Sequence, residues 1–281
     1  MTFQVENTID DKDFADCFDA ASRHLKELLE KCGPNTRDAA AAAQEGAVPH
    51  TWLRTTPHTP LLEHLSFILG NQAFFVRLED AESFDLPLLS DHEQGREWSA
   101  ALATSRFPGT LQGLMRIAAG YKGHACIMPM RRYGEEGWRP ALRGWGLLDL
   151  RALNPMDPEA LVNQKRVIAT DWELHDMAVQ EVRSALSKEG RRVLSWTNDP
   201  GVMPSVWFNN GLSPCWIIIR ACRAPLKTMP APDATSIEKI KKQMQGAPGY
   251  YACVSFSGTD EDGTVYRGET VKADYQGMTA L

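Results

Sequence analysis

The sequence lacks the cysteine pairs of a structural zinc site. None of its six cysteines belongs to a C-x-x-C pair, and the six are Cys17, Cys32, Cys126, Cys215, Cys222 and Cys253. Structural zinc usually requires closely spaced cysteine or histidine pairs. Several of the six fall within apolar segments, where a free cysteine behaves as a small buried hydrophobe. We therefore expect six reduced cysteines, and with them a reducing compartment.

The chain also lacks an excess of positive charge and a long apolar run. Its net charge is −6 and its pI about 5.7, whereas proteins that bind nucleic acid or anionic membranes need a cationic surface. No apolar run approaches the roughly 18 residues of a membrane span, and the N-terminus does not resemble a signal peptide. These absences favour a cytoplasmic protein, which we also expect to be bacterial, with no nucleic-acid or membrane partner.

What the sequence does contain is an internal repeat. Trp52 is followed by two prolines, an apolar hairpin pattern around Gly70 and then Arg77, and Trp196 is followed by the same series ending at Arg220. The two arginines lie 143 residues apart and the two tryptophans 144. Further on, Gly120-x-x-Gly123 is echoed by Gly246-x-x-Gly249, and Cys126 by Cys253. A repeat of this length predicts two copies of one domain.

The periodicity of each half predicts the same order of elements. Apolar residues at steps of three and four predict helices over Asp13–Lys31 and from Thr170, where a T-x-x-E capping box opens the second copy. A second T-x-x-E at Thr235 predicts the start of another helix. Alternating apolar segments, including 266–273, predict the strands.

The predicted fold class is α+β, with two tandem copies of an α-β-β-β-α-β-β unit and antiparallel sheets. The first copy covers 1–160, with an insertion around 80–108, and the second covers 161–281. The two copies could pack as a homodimer of single copies would, and the whole chain could itself form a homodimer.

This order of elements resembles the type III secretion chaperone-like superfamily. The resemblance covers nearly the whole chain and extends to the acidic balance and the pairing of two copies, but it carries no family motif. It implies a protein that binds other proteins without catalysis and needs no cofactor.

A second resemblance is to the restriction-endonuclease-like fold. Such nucleases hold magnesium with an aspartate on the second strand and a Glu-x-Lys on the third. Here the second strand of copy two, 205–208, has no carboxylate, and the third strand has Ile218 and Arg220 in place of the glutamate and lysine. An active nuclease at these positions is excluded, because nothing there could bind the metal.

Arg77 and Arg220 are the most distinct repeated polar pair. The functional interpretation is two equivalent contacts to anions or carboxylates, because the arginine fork suits bidentate partners. The structural interpretation, which we favour, is an ion pair with an acid such as Glu79.

Three arrangements that include histidine could form reactive or metal sites. His58 and His64 could bind zinc with His50 or His92, although their spacing favours ordinary loop residues. His92 and Glu93, in the insertion, could instead belong to a relocated enzyme site. His124 and Cys126 share one face of a predicted strand, but no oxyanion loop accompanies them, so a structural thiol is favoured. No metal site and no cofactor is predicted.

Tryptophan and arginine are favoured anchors of protein interfaces, and both occur in the segment 131–145. We therefore predict that Arg131, Arg132, Trp138 and Trp145 line a partner surface, with Arg77 and Arg220 as further binding residues. The expected surface is the outer sheet face or the groove between the copies, with the hairpin 133–145 at its rim. The predicted function is non-catalytic binding of a protein partner, as by a chaperone, adaptor or immunity protein. The alternatives are an enzyme with a non-standard site and a small-molecule sensor.

Overall fold

The computed structural model describes residues 12–35, 47–53, 65–81 and 111–281. The chain divides into two compact units, and the division falls between Arg166 and Val167. Most of the predicted insertion around 80–108 lies outside the described residues. Within the described part, each helix is too short or too polar to cross a membrane.

The first unit combines helices with one mixed sheet. In the ranges that the structure describes, its α-helices are α1 (Lys12–Cys32), α2 (Leu111–Gly120) and the short α3 (Pro158–Leu161). Its strands are β1 (His50–Trp52), β2 (Phe67–Leu69), β3 (Gln72–Asp80), β4 (His124–Arg132), β5 (Trp138–Pro140), β6 (Leu147–Asp149) and β7 (Pro155–Met156). The strand order is β1-β2-β3-β4-β6-β7, and β5 pairs with β4.

Helix α1 forms because its apolar residues recur on one face. Phe14, Cys17, Ala21, Leu25 and Leu29 are buried along this stripe and belong to the same core as the sheet residues Phe67, Phe74 and Val76. The predicted helix over Asp13–Lys31 is confirmed within one residue at each end.

The second unit has a simpler sheet. Its elements are α4 (Asp171–Lys188), β8 (Arg192–Trp196), β9 (Val206–Asn209), β10 (Pro214–Arg223), α5 (Ala234–Gln243), β11 (Gly249–Gly258) and β12 (Val271–Ala280). The strands lie in the order β8-β9-β10-β11-β12.

The structure confirms one predicted helix start and corrects another. Thr170 caps α4 in a complete capping box with Glu173. Helix α5 begins within one residue of the predicted Thr235, but its cap is Asp233, whose carboxylate accepts from the backbone N–H of Ser236, so the predicted capping by the T-x-x-E motif at Thr235 is wrong. Aspartate is among the best N-cap residues and begins the helix one residue earlier. The last strand begins at Val271 and not at Tyr266, because the chain turns at Gly268, whose φ is +76°.

The α+β fold is confirmed, but the sheets are mixed. Strands β3 and β4 run parallel, as do β10 and β11, whereas the other named pairs are antiparallel. A helix joins the strands of each parallel pair, α2 in the first unit and α5 in the second, and such a crossover returns the chain to the same end of the sheet. The expectation of antiparallel sheets is therefore wrong for one pair in each unit.

The two sheets have the same register across four strands. In the first unit Trp52 pairs with Phe67, Phe67 with Phe74, and Phe74 with His124. The corresponding row of the second unit is Trp196, Val206, Ile217 and Tyr250. We call these two sets the register rows. Because a slip of one residue would reverse every side chain, the shared register supports the prediction of a tandem duplication.

Hydrogen bonds to two buried serines repeat this correspondence. The hydroxyl of Ser66 accepts from the backbone N–H of Val76 at 3.3 Å, and that of Ser205 accepts from Ile219 at 3.4 Å. The two serine carbonyls accept from the residues after the two tryptophans, Leu53 and Thr197, at 2.8 Å in both cases. Both serines thus join the first three strands of their unit in the same way.

The register rows correct the predicted echo of the cysteines. His124 corresponds to Tyr250, so Cys126 corresponds to Ala252 and Ile127 to Cys253. Cys126 lies in the core beneath α1, whereas Cys253 packs on the opposite side of its sheet with Trp216 and Ile218. The two cysteines occupy different faces because the side-chain direction alternates along a strand.

Candidate binding cleft

Five of the six predicted binding residues belong to the first unit, and Arg220 belongs to the second. Two of them, Arg132 and Trp138, come together at a surface cleft of the first unit. Arg131 precedes Arg132 on β4 and pairs with Arg139 of β5 in the sheet, so it belongs to the same hairpin. The other three, Arg77, Trp145 and Arg220, lie elsewhere.

Arg77 is a structural residue. It is 3% exposed, and its Nε lies 3.2 Å from Oε1 of Glu79, which is fully buried. Burial lowers the pKa of the Arg77 guanidinium, and the charge of Glu79 opposes that shift. The expected ion pair with Glu79 is confirmed, and Arg77 cannot reach a partner from this position.

Trp145 is a core residue, so its predicted place on a partner surface is wrong. It is 5% exposed and stacks on Phe67 with ring centroids 5.8 Å apart. The apolar ring gains more from burial in the core beneath α1 than it would from exposure on the hairpin.

Arg220 lies on β10 and is partly exposed. It forms no hydrogen bond or ion pair with any residue in the described part of the chain. The register rows place Arg220 at the position of Arg77. The two arginines are therefore equivalent in the fold but not in their surroundings.

Arg132 and Trp138 are joined by an aspartate of α1. Asp13 forms an ion pair with the Arg132 guanidinium and accepts a hydrogen bond from the indole Nε1 of Trp138 at 3.1 Å. The guanidinium also lies over the Trp138 ring, 5.5 Å from its centroid. Strand pairing of Arg132 with Trp138 holds both side chains at the same end of the β4–β5 hairpin.

Beside this trio lies a cleft with a volume of about 230 Å³. We call it the α1 cleft, and its lining consists of Asp16, Asp19, Ala20, Arg23, Arg132, Glu136, Gly137 and Trp138. Two of the charged groups are already neutralised, Arg132 by Asp13 and Glu136 by Arg139 at 3.1 Å. Asp16, Asp19 and Arg23 are exposed and form no hydrogen bond or ion pair with the described residues.

Sequence reasoning missed the contribution of α1 to this cleft. Asp16, Asp19 and Arg23 recur at steps of three and four on the helix face that does not enter the core. A polar stripe of this kind usually indicates only a solvated face. The polar stripe indicates a cleft only when the β4–β5 hairpin is known to lie beside it. That contact joins distant segments of the chain, so local sequence patterns do not reveal it.

The other predicted sites have structural explanations where the structure describes them. His50 is 3% exposed, and its Nδ1 lies 3.0 Å from the carbonyl oxygen of Gly33. His124 stacks on Phe74 with centroids 5.0 Å apart. Cys126 is fully buried, and burial raises the pKa of its thiol well above the ordinary value, which makes a poor nucleophile.

Metal binding gains no support from the described residues, which contain no group of three or more His, Cys, Asp or Glu side chains arranged to hold an ion. His58, His64, His92 and Glu93 lie outside these residues.

The fold and the cleft define an α+β protein with two mixed-sheet units and a small charged cleft in the first. Residues 172–281 match the model of a family described as a domain of unknown function, DUF8840. The matched segment runs from α4 to β12 and so corresponds to the second unit. No curated protein and no solved structure matches the chain.

Proposed function

We propose that the protein binds another protein without catalysis and that the α1 cleft receives a basic side chain of the partner. The observation that carries this proposal is the pair of exposed carboxylates of Asp16 and Asp19. They have no partner among the described residues, and they lie beside the cleft wall that Arg132 and Trp138 form. The partner could also be a second copy of the chain, as a homodimer.

The charge of the cleft favours a cationic group. After the pairs Asp13–Arg132 and Glu136–Arg139 are set aside, two carboxylates remain against the single cation Arg23. A lysine or arginine between Asp16 and Asp19 would form charge-assisted hydrogen bonds, which are stronger than neutral ones.

The size of the cleft favours a side chain over a metabolite. Its volume of about 230 Å³ is below the roughly 300–1,000 Å³ of small-molecule sites. The cleft is also open and polar, whereas ligand pockets are mostly apolar. These properties favour the protein-binding proposal over a small-molecule sensor at this place.

The walls of the cleft are organised before binding. Trp138 is 6% exposed, packs in the core beneath α1 and is fixed by its hydrogen bond to Asp13. A preformed wall reduces the entropy lost on association. Arg132, held over the indole ring, belongs to a residue type that often carries binding energy.

A peptide-array screen followed by calorimetry tests this proposal. We expect peptides that bind the protein to contain lysine or arginine. The double variant Asp16→Lys/Asp19→Lys should weaken their binding at least about tenfold, or about 1.4 kcal/mol. The matched control, Glu27→Lys/Glu30→Lys, makes the same charge change on exposed residues of α1 outside the cleft.

The control variant should retain the affinity within about threefold, because surface charges act weakly at a distance in salt. Equal binding by Asp16→Lys/Asp19→Lys and the wild type, or selection of acidic peptides, would contradict the proposal. Sedimentation analysis of the same variants identifies a second copy as the partner if only the cleft variant loses self-association.

We further propose a cytoplasmic location. All six cysteines are free, which agrees with a reducing compartment. The element order shared with the type III secretion chaperone-like superfamily agrees with a binding role, and this support is by analogy alone.

A further inference from the structure

The register rows identify one pair of equivalent positions, Arg77 and Arg220, whose neighbouring residues differ between the two units. Arg77 and Arg220 lie three residues beyond the row, beside Ile127 and Cys253 on the neighbouring parallel strand. Two residues further along the strand are Glu79 in the first unit and Cys222 in the second. The second unit thus keeps the arginine and replaces its carboxylate partner with a thiol.

The replacement brings two thiols together. The Sγ atoms of Cys222 and Cys253 lie 3.8 Å apart, on adjacent strands and on the same face of the sheet. A disulfide requires about 2.05 Å between the sulfurs, so the two sulfurs, which lie diagonally across the strand pair, must approach by about 2 Å.

We propose that Cys222 and Cys253 form a peroxide-sensitive dithiol, in which Cys253 attacks the oxidant and Cys222 completes an intramolecular disulfide. This inference concerns the second unit and is independent of the α1 cleft.

Three observations assign the attacking role to Cys253. It is partly exposed, whereas Cys222 is 5% exposed. Its sulfur accepts a hydrogen bond from the backbone N–H of Met229 at 3.3 Å. Arg220, its neighbour across the strand pair, has no ionic partner among the described residues. Reactive cysteines occupy partly exposed, electropositive surroundings, and the exposure of Cys253 and the strand position of Arg220 opposite it agree with that description.

Cys222 suits the resolving role. Its S–H donates to the carbonyl oxygen of Leu226 at 3.3 Å. Burial raises the pKa of its thiol, as does its contact with Cys253, while a hydrogen bond with Ser255 opposes the shift. Cys222 is therefore held as a thiol next to the position where an oxidised Cys253 would form.

The chemistry balances with hydrogen peroxide as the oxidant. The Cys253 thiol attacks one peroxide oxygen, the O–O bond breaks, and sulfenic acid and one water are formed. The Cys222 sulfur then attacks the sulfenic sulfur, an S–S bond replaces the S–O bond, and a second water leaves. The two thiols lose two electrons and two protons in total, and peroxide accepts both.

The other four cysteines are poor competitors. Cys17, Cys126 and Cys215 are fully buried. Burial, followed by the nearby Glu159 carboxylate, raises the pKa of Cys32 to about 12. A thiol in that state contributes little thiolate near neutral pH. Oxidation should therefore be selective for the Cys222–Cys253 pair.

The test treats the reduced full chain with hydrogen peroxide, blocks the remaining thiols by alkylation and maps the peptides without reduction. We expect a Cys222–Cys253 disulfide as the first product, with four cysteines still alkylated and full reversal by dithiothreitol. The proposal would be overturned if another cysteine were oxidised before this pair, or if Cys222 and Cys253 were both still free thiols when the first oxidised product forms.

Two substitutions test the roles of the thiols. Cys222→Ser should stop at a Cys253 sulfenic acid, which dimedone traps, whereas Cys253→Ser should leave Cys222 unmodified. The reverse pattern would overturn the assignment of Cys253 as the attacking thiol.

Arg220→Gln should slow the oxidation several-fold, whereas Arg192→Gln, an equal charge loss on the exposed edge strand β8, should not. Equal rates for these two variants would overturn the role of Arg220.

Discussion

Gly249 lies directly against the indole ring of Trp216, its partner across the parallel pair of the second unit. A Cβ atom at position 249 would lie 2.2 Å from Cζ2 of Trp216. The first unit repeats the arrangement at its own strand entry, where a Cβ on Gly123 would lie 2.6 Å from the carbonyl oxygen of Ala73. Both glycines allow the strand after the crossover helix to begin close to its neighbour.

We expect Gly249→Ala to destabilise the protein by about 3 kcal/mol, because the methyl group cannot be accommodated without moving a fully buried tryptophan. The control is Gly211→Ala, at a φ of +94° with no atom within 4 Å, where only backbone strain of about 1–2 kcal/mol applies. Urea unfolding measures both free energies. A smaller loss for Gly249→Ala than for Gly211→Ala would show that the close contact with Trp216 is not rigid.

The equivalent arginines should respond differently to substitution. Arg77→Met leaves the buried Glu79 without its ion pair, and breaking one partner of a buried pair costs about 3–5 kcal/mol. Arg220→Met removes a partly exposed cation that has no ionic partner among the described residues, so we expect a change within about 1 kcal/mol. Denaturant unfolding of both variants checks this asymmetry, and equal losses would contradict it.

A second buried ion pair stabilises the start of α4. Nε and Nη2 of Arg267 lie 2.7 and 2.9 Å from the two carboxylate oxygens of Glu173, and both side chains are at most 5% exposed. We expect Arg267→Met to cost about 3–5 kcal/mol, because it leaves a buried carboxylate without its main partner. The double variant Arg267→Met/Glu173→Gln should recover part of the loss, since Gln can retain the capping box. If the double variant were less stable than Arg267→Met, the unpaired charge of Glu173 would not be the cause of the lost stability.

His175 should make stability depend on pH. It is 5% exposed on α4, and burial, followed by the charge of Arg220, lowers its pKa from 6.5 to about 4, while Asp199 opposes the shift. Between these values the unfolded chain binds a proton that the folded chain does not, so stability falls as the pH drops from 6.5 to 4. The maximum loss is about 3 kcal/mol at 1.36 kcal/mol per pKa unit.

The variant His175→Leu removes this titration, so its stability should change less over the same pH window. The measurement is chemical unfolding of both proteins at pH 7, 5.5 and 4.5. Parallel curves for the wild type and His175→Leu would contradict the assignment of the loss to His175.

The helices and their limits could be largely predicted from local patterns. The stripe from Phe14 to Leu29 and the cap at Thr170 act over a few residues, so both are visible in the sequence. The direction of strand pairing is not visible in the same way, because it depends on which strands become neighbours in the sheet, and local patterns do not identify those neighbours. The parallel pairs β3–β4 and β10–β11 were missed for this reason.

The site was predicted less completely than the helices, because it depends on contacts between segments that are distant in sequence. Trp138 and Trp145 are both hairpin tryptophans that pack in the core beneath α1, yet Trp138 lines the α1 cleft with Arg132 and Trp145 does not. The distinction depends on which hairpin residue lies beside Asp13 of α1, a contact between segments more than 100 residues apart in sequence. Composition alone therefore identified the hairpin but not which of its residues line the cleft.

The most direct test of the two-copy arrangement is an experimental structure of the full chain followed by superposition of its halves. We predict that the Cα atoms of Trp52, Phe67, Phe74 and His124 overlie those of Trp196, Val206, Ile217 and Tyr250, with Arg77 beside a carboxylate and Arg220 beside two thiols. Rows that superimpose only after a shift of one residue in any strand would contradict the arrangement.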